Sequence, residues 1–346
     1  MGCLHPMWAI KRYNTLTGKN EVKFLRHKTD DDDKSTLITL AISHGGRLIQ
    51  LPCGQCTECR LARSREWATR CMLESKEHKQ NYFITLTYDE EHLPKGQAIE
   101  TTTGEIYEVG TLNDKDMQEF WKRLRITWKR KYNIENIRYY YCGEYGETYG
   151  RPHYHAICFG LPIYDLKTDH KSKKGNMNYI SKEIEKIWGK GRVAIGTVTW
   201  DSCAYTARYI MKKQTGKGNE EYYKILGVKP EFVRMSRRPG IGKNYYENNK
   251  DSIYDIDGIY ISTKKGVQKI KPSKYYDKLY DIDNHERLEN IKEARKATAE
   301  LTEQQITRST DMTAREIRET KEQSKKIAQR TLKRNYEIGK SQFKQN

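Results

Sequence analysis

Gly150-Arg151-Pro152-His153-Tyr154-His155-Ala156-Ile157-Cys158-Phe159-Gly160 is the stretch on which the reading of this chain turns. Glycine and proline punctuate its start, and Ala156 to Phe159 form a short apolar run of the kind that makes a buried strand. Side chains at i and i+2 leave one face of a strand about 7 Å apart. His153 and His155 therefore share a face and can share one ion. With nine histidines in 346 residues such a pair is uncommon by chance. The competing reading is two histidines on the polar face of a half-buried strand.

Working upstream, Ile137–Cys142 reads as a strand that runs into Glu144. An antiparallel pairing with a turn near Thr148–Gly150 sets Glu144 about opposite the histidines. A carboxylate there completes a set of two imidazoles and one acid, which suits Mg²⁺ or Mn²⁺ with positions left open for phosphate oxygens. A solvated surface glutamate is the alternative. Downstream, Tyr205-Thr-Ala-Arg208-Tyr209-Ile-Met-Lys212-Lys213 follows Asp201, a residue suited to an N-cap. No Gly or Pro interrupts it before Gly216, so a helix of about three turns is expected. Tyr205 and Tyr209 are then i, i+4 neighbours, with Lys212 one turn beyond. Two phenols beside cations are what repeated attack on a phosphodiester needs. A phenol with an ordinary pKa of about 10 requires a polarised phosphate or a nearby positive charge. Taken alone, in a chain with 25 tyrosines, the pair reads as packing.

Together, the strand Tyr82-Phe-Ile-Thr-Leu-Thr-Tyr88, the His-x-His strand and the Tyr-x-x-x-Tyr-x-x-Lys helix resemble the HUH endonucleases, which initiate rolling-circle replication or conjugative transfer. Tyr154 stands between the histidines where that superfamily usually has an apolar residue. Four further segments narrow the resemblance. They are Pro52-Cys53-Gly-Gln-Cys56-Thr-Glu-Cys59-Arg60, Arg65-Glu-Trp67, Gly143-Glu144-Tyr145-Gly146 and Met235-Ser-Arg-Arg-Pro-Gly-Ile-Gly242. These look like the replication initiators of small single-stranded DNA phages, the gokushovirus type of microvirus, over roughly residues 50–245.

The resemblance implies a metal-dependent DNA endonuclease and strand joiner with a 5′-phosphotyrosine intermediate. It implies His153, His155 and Glu144 as ligands of Mg²⁺ or Mn²⁺, and Tyr209 and Tyr205 as nucleophiles. Lys212, three residues after Tyr209, favours Tyr209 as the first. Its partners are then viral origin DNA and the host replication machinery, and its place the cytoplasm of a bacterial host. Other HUH enzymes (plasmid initiators, relaxases, transposases) share this chemistry. A non-enzymatic nucleic-acid-binding protein built on a cysteine-metal module is the reading from another class.

Composition agrees with a polyanion partner: 64 basic against 46 acidic residues give a net charge of +18, which predicts salt-dependent binding. Arg234-Met-Ser-Arg237-Arg238-Pro-Gly-Ile-Gly-Lys243 reads as a basic loop. Together with Arg208 and Lys213 it is the candidate DNA-contacting surface, with a solvated turn as the alternative. No run of about eighteen apolar residues predicts a membrane span, and the N-terminus lacks the basic and apolar regions of a secretory signal. No small-molecule substrate is expected.

Eight cysteines in a reducing compartment argue against a disulfide framework. Cys53, Cys56 and Cys59 are spaced to wrap one tetrahedral ion, possible structural Zn²⁺, with Cys71 or His78 as candidates for the fourth ligand. An iron–sulfur cluster uses similar spacing. Reduced thiols at a turn opening a helix from about Thr57 to Lys79 are the plain reading. Cys142, Cys158 and Cys203 read as small core residues.

The expected architecture is α+β. It is an HUH endonuclease-like antiparallel sheet of about five strands with flanking helices, followed by a charged C-terminal helical tail. Residues 1–50 read as strands at Val22–Leu25 and Leu37–Ala41 around the acidic loop Thr29–Lys34. Residues 51–245 form the Cys-motif and nuclease domain, 246–283 a Tyr-rich hairpin region, and 284–346 the tail. A hairpin turning near Thr103-Gly104, a helix capped by Asn113 with Phe120, Trp121, Leu124 and Trp128 inward, a helix near Asn178–Trp188 and a strand Arg192–Thr199 fill in the nuclease part.

Overall fold

The structure, a computed structural model, describes residues 3–29, 32–146, 150–171, 177–208, 219–263, 266–313, 316–317, 319–324 and 327. They divide into two compact units, the described residues of 1–63 with 290–332, and those of 64–289.

The first unit opens with β1 (Met7–Asn14), β2 (Lys19–His27), α1 (Lys34–Ser43) and β3 (Arg47–Leu51), and α2 (Thr57–Lys76) starts within it. Its sheet has the order β2-β1-β3, all antiparallel, with Met7 of β1 opposite Leu51 of β3. Leu37–Ala41, expected as a strand from its Thr, Leu and Ile content, lies instead inside α1. The local chemistry overrides the β-branched run: Asp33 is the N-cap, its carboxylate accepting the Ser35 amide at 2.9 Å. The acidic loop is also more tied down than its charge predicts. Asp32 accepts the Trp8 indole N–H at 2.6 Å and pairs with Arg26 at 2.7 Å.

The second unit continues with β4 (Asn81–Thr87), the hairpin β5 (Lys95–Ile99) and β6 (Ile106–Gly110), α3 (Asp114–Tyr132), β7 (Arg138–Tyr145) and β8 (Pro152–Phe159). Then come β9 (Lys167–Lys171), β10 (Met177–Ile180), α4 (Lys182–Trp188), β11 (Val193–Thr197), α5 (Trp200–Arg208), α6 (Asn219–Ile225) and β12 (Phe232–Met235). α7 (Lys243–Asp255), β13 (Ile259–Thr263), β14 (Gly266–Ile270) and α8 (Lys274–Asp283) complete it, and α9 (His285–Arg308) begins in this unit and belongs from residue 290 to the first. In the region expected as a Tyr-rich hairpin, β13 and β14 form the hairpin. Tyrosines pack between the flanking helices, Tyr254 stacking on Tyr280 at 3.7 Å.

The central sheet is antiparallel with the order β12-β7-β8-β4-β11-β10-β9, seven strands rather than about five. The additions lie outside the predicted set: β12 extends one edge, and β9 with β10 extends the other. Asn178–Ile180 was expected to open a helix, but it belongs to β10. The helix begins later, where Ser181 caps α4 by accepting the Ile184 amide at 3.1 Å and Asp165 accepts the Glu183 amide at 2.9 Å.

Strand alternation sorts side chains to two faces. Ile84 and Leu86 of β4, Tyr154, Ala156 and Cys158 of β8, and Val193 and Ile195 of β11 pack with Phe120, Leu124 and Trp128 of α3 and Trp188 of α4. The opposite face carries Tyr140, Ile157 and Phe159 against Ala68 and Cys71 of α2 and Cys203 and Ala207 of α5. Glu74 of α2 joins that layer: its carboxylate pairs with Arg138 of β7 and accepts the Gly242 amide at 2.6 Å. Among the described residues, no helix is long and apolar enough to cross a membrane.

Candidate active site

The register of the three middle strands assembles the site. Glu144 of β7 lies directly opposite His153 of β8, and Thr85 of β4 lies opposite His155. Alternation then turns Glu144, His153, His155 and Thr85 to the face covered by α2 and α5. The Glu144 Oε1 atom is 2.9 Å from Nε2 of His153 and 2.9 Å from Nε2 of His155. Glu144 and His155 are buried and His153 is partly so.

The second ring nitrogens are held as well. His153 Nδ1 is 3.0 Å from the Arg151 carbonyl, which can only accept, and this contact fixes the ring with Nε2 turned to Glu144. His155 Nδ1 is 3.0 Å from the Thr85 hydroxyl, and Phe83 stacks on the ring at 5.4 Å with an interplanar angle of 12°. Both Nε2 atoms thus converge on one carboxylate oxygen. Two imidazoles and a carboxylate, oriented by outer hydrogen bonds, therefore fit a divalent metal. Gly146 gives the first imidazole its room, since a Cβ there would come 3.3 Å from His153 Cε1.

α5 carries Tyr205 to the edge of this cluster. Its ring meets His155 at 5.1 Å in an edge-on arrangement, and the residue is 41% exposed. The helix starts at Trp200, and Thr199 rather than Asp201 caps it: Thr199 Oγ1 accepts the Ser202 amide at 3.2 Å. A metal-type triad, an accessible phenol beside it and a basic chain are the equipment of phosphodiester chemistry.

Comparison with known proteins supplies the lineage. Residues 81–214, which contain β4, β7, β8 and α5, match the family model for replication-associated protein ORF2/G2P. The chain is 36% identical over 308 residues to the replication-associated protein ORF2 of Spiroplasma virus 4, spanning 87% of this chain and 88% of that one. The chain belongs to the replication-associated proteins of gokushovirus-type microviruses. It is also 32% identical over 229 residues to the replication-associated protein VP4 of Bdellovibrio phage phiMH2K, 65% of this chain and 66% of the other. For the replication-associated protein ORF4 of Chlamydia phage 1 the figures are 31% over 170 residues, 47% and 38%. No solved structure matches.

Within this replication-associated protein, Tyr209, Lys212 and Lys213 lie outside the described residues. Arg208 is exposed at the end of α5, and Arg237 and Arg238 are exposed on the turn after β12. Arg234 from the same basic stretch is instead tied to Asp114 at 3.1 Å. Two contributors escaped the sequence reading. Thr85 and Phe83 sit in the strand Tyr82–Tyr88 with the same period of two as the histidines, so alternation across paired strands was the signal available.

The cysteine cluster also differs from expectation in its fourth member. Cys3, Cys53, Cys56 and Cys59 come together, all four sulfurs lying within 4.8 Å of one another. Cys71, twelve residues along α2 from Cys59, is fully buried against Ala68, Tyr140 and Ile157. His78 bonds Glu74 at 3.3 Å. Neither is the fourth member, because Cys71 packs into the layer under the central sheet and His78 serves the Glu74 cluster. Burial opposes ionisation of Cys56, but backbone amides of Cys59 and Leu4 bring it down to about 7. Cys142, Cys158 and Cys203 are buried free thiols.

Proposed function

We propose that this replication-associated protein is a rolling-circle initiator of the HUH type, nicking and rejoining origin DNA through tyrosine nucleophiles. The observation that carries the reading is the convergence of Glu144 with both His Nε2 atoms at 2.9 Å, with Tyr205 against His155. The antiparallel central sheet with helices on both faces agrees with an HUH-like fold, its core being β7, β8, β4 and β11.

In this reading Glu144, His153 and His155 would hold a divalent cation, Mg²⁺ or Mn²⁺, which would supply Lewis-acid stabilisation of charge on the scissile phosphate. The phenol of one tyrosine loses its proton and its oxygen attacks phosphorus. A tyrosyl O–P bond forms, the P–O3′ bond breaks, and the departing oxygen takes up a proton to become a 3′-hydroxyl for a host polymerase. The phosphotyrosine bond conserves the energy for rejoining, so no nucleotide triphosphate is consumed. After one round the second tyrosine cleaves the regenerated origin, and the released 3′-hydroxyl attacks the first phosphotyrosine to close the circle. Tyr205 and Tyr209 take these roles, with Lys212 beside the phosphate. Arg208, Lys213, Arg237 and Arg238 hold flanking phosphates. The work takes place in the cytoplasm of the bacterial host.

The test is incubation with a labelled single-stranded oligonucleotide covering the viral origin, with Mn²⁺ or with EDTA, resolved on a denaturing gel. A metal-dependent protein–DNA adduct is expected, abolished when Tyr205→Phe and Tyr209→Phe are combined. Tight binding with no adduct in the presence of the metal overturns the reading in favour of a binding protein.

A further inference from the structure

The cysteine cluster belongs to the first unit, and strand pairing builds it. Opposition of Met7 and Leu51 in the β1–β3 pair makes the residues before β1 and after β3 neighbours. Cys3 is thereby brought to Cys53 although fifty positions separate them. The Sγ atoms of Cys3 and Cys53 are 3.6 Å apart, and those of Cys3 and Cys56 are 3.9 Å apart. Four sulfurs about 2.3 Å from a tetrahedral centre are about 3.8 Å from one another, so the spacing is that of a tetrathiolate shell.

The surrounding backbone is arranged for sulfur that carries negative charge. The Cys53 amide points at Cys3 Sγ at 3.2 Å and the Cys56 amide at Cys53 Sγ at 3.3 Å. Gly54, at φ +73°, permits the turn that wraps the motif. Cys59 sits in the first turn of α2, at the positive end of the helix. All four are free thiols.

The unit also needs a cross-link. Among its described residues the buried apolar side chains are Trp8, Ala9, Ile10, Leu37 and Ala41. A core that small leaves a three-stranded sheet marginal without a staple.

We infer that Cys3, Cys53, Cys56 and Cys59 bind one zinc ion, a closed structural site that pins the chain ahead of β1 to the turn between β3 and α2. Soft thiolates select zinc or iron over Mg²⁺ and Mn²⁺, and four protein ligands leave no position for a substrate. The site is thus of a different kind from the Glu144–His153–His155 cluster and independent of it.

The experiment is metal analysis of the full chain purified under reducing conditions, followed by cobalt(II) substitution. About one zinc per chain is expected, with the cobalt form showing the thiolate charge-transfer and intense visible bands of a tetrahedral four-sulfur site. Cys3→Ser should weaken zinc retention against a competing chelator at least about tenfold, while His78→Ala retains it. A folded chain that binds no zinc overturns the inference, as does a broad visible iron–sulfur absorption. Zinc retention unchanged by Cys3→Ser overturns the assignment of the fourth ligand. If Cys3→Ser does not fold, the cobalt spectrum of the unaltered chain decides, because three-sulfur and four-sulfur sites differ in it.

Discussion

Two side-chain clusters of this protein are assembled by opposite means. Glu144, His153 and His155 sit on adjacent middle strands, and their convergence follows from strand register alone. Cys3, Cys53, Cys56 and Cys59 sit off the ends of strands, in a turn and a helix start, and the chain must fold back to collect them. The first set offers nitrogen and oxygen donors from three residues, an open shell with a phenol at its edge. The second offers four sulfurs and closes on itself. An open set of three donors leaves room for a further ligand, whereas a closed set of four sulfurs leaves none.

The sharpest way to break that contrast is to remove Glu144. Glu144→Ala should lower origin cleavage by about 10³-fold, read as the rate of adduct formation, while gel-shift affinity for the oligonucleotide stays nearly unchanged. Equal loss of binding would mean the cluster organises the DNA surface rather than the chemistry. A smaller effect is expected one layer out. Thr85→Val takes away the hydroxyl at His155 Nδ1 and leaves all three donors in place. The Mn²⁺ concentration for half-maximal cleavage should rise about tenfold, and an unchanged metal titration would remove Thr85 from the site. The smallest effect belongs to the far face of β8, between the two histidines. Tyr154→Phe should cost about 1–2 kcal/mol, measured as a lower denaturant midpoint at constant slope, with cleavage per folded molecule unaltered.

Much of the central unit was legible because its signals are local. Asn113 caps α3 as its position before a charged first turn predicts, and the aromatic stripe from Phe120 to Trp128 is buried. Glu144 was placed opposite the histidines by hairpin arithmetic, and the register sets it across from His153. What escaped depended on competition or distance. Leu37–Ala41 has strand-forming residues, but capping by Asp33 decided for helix. Cys3 was overlooked as a member of the cysteine cluster because its neighbour in space is fifty residues away and the β1–β3 pairing joins them. The edge strand β12 is four residues long, too short for alternation to announce it.

Tyr154, the large residue between the two histidines, turns away from them. Its hydroxyl accepts the Asn113 amide at 2.8 Å, donates to the Asn113 carbonyl at 2.9 Å, and lies 2.9 Å from the Tyr88 hydroxyl. Asn113 caps α3, so one side chain rivets the ligand-bearing strand to the start of a helix on the opposite layer. The position between the histidines therefore answers to the architecture behind the sheet and not to the cluster in front of it. A search pattern that insists on an aliphatic residue there would discard this chain. One that asks for any bulky side chain able to fill the space beneath a helix start would retain it.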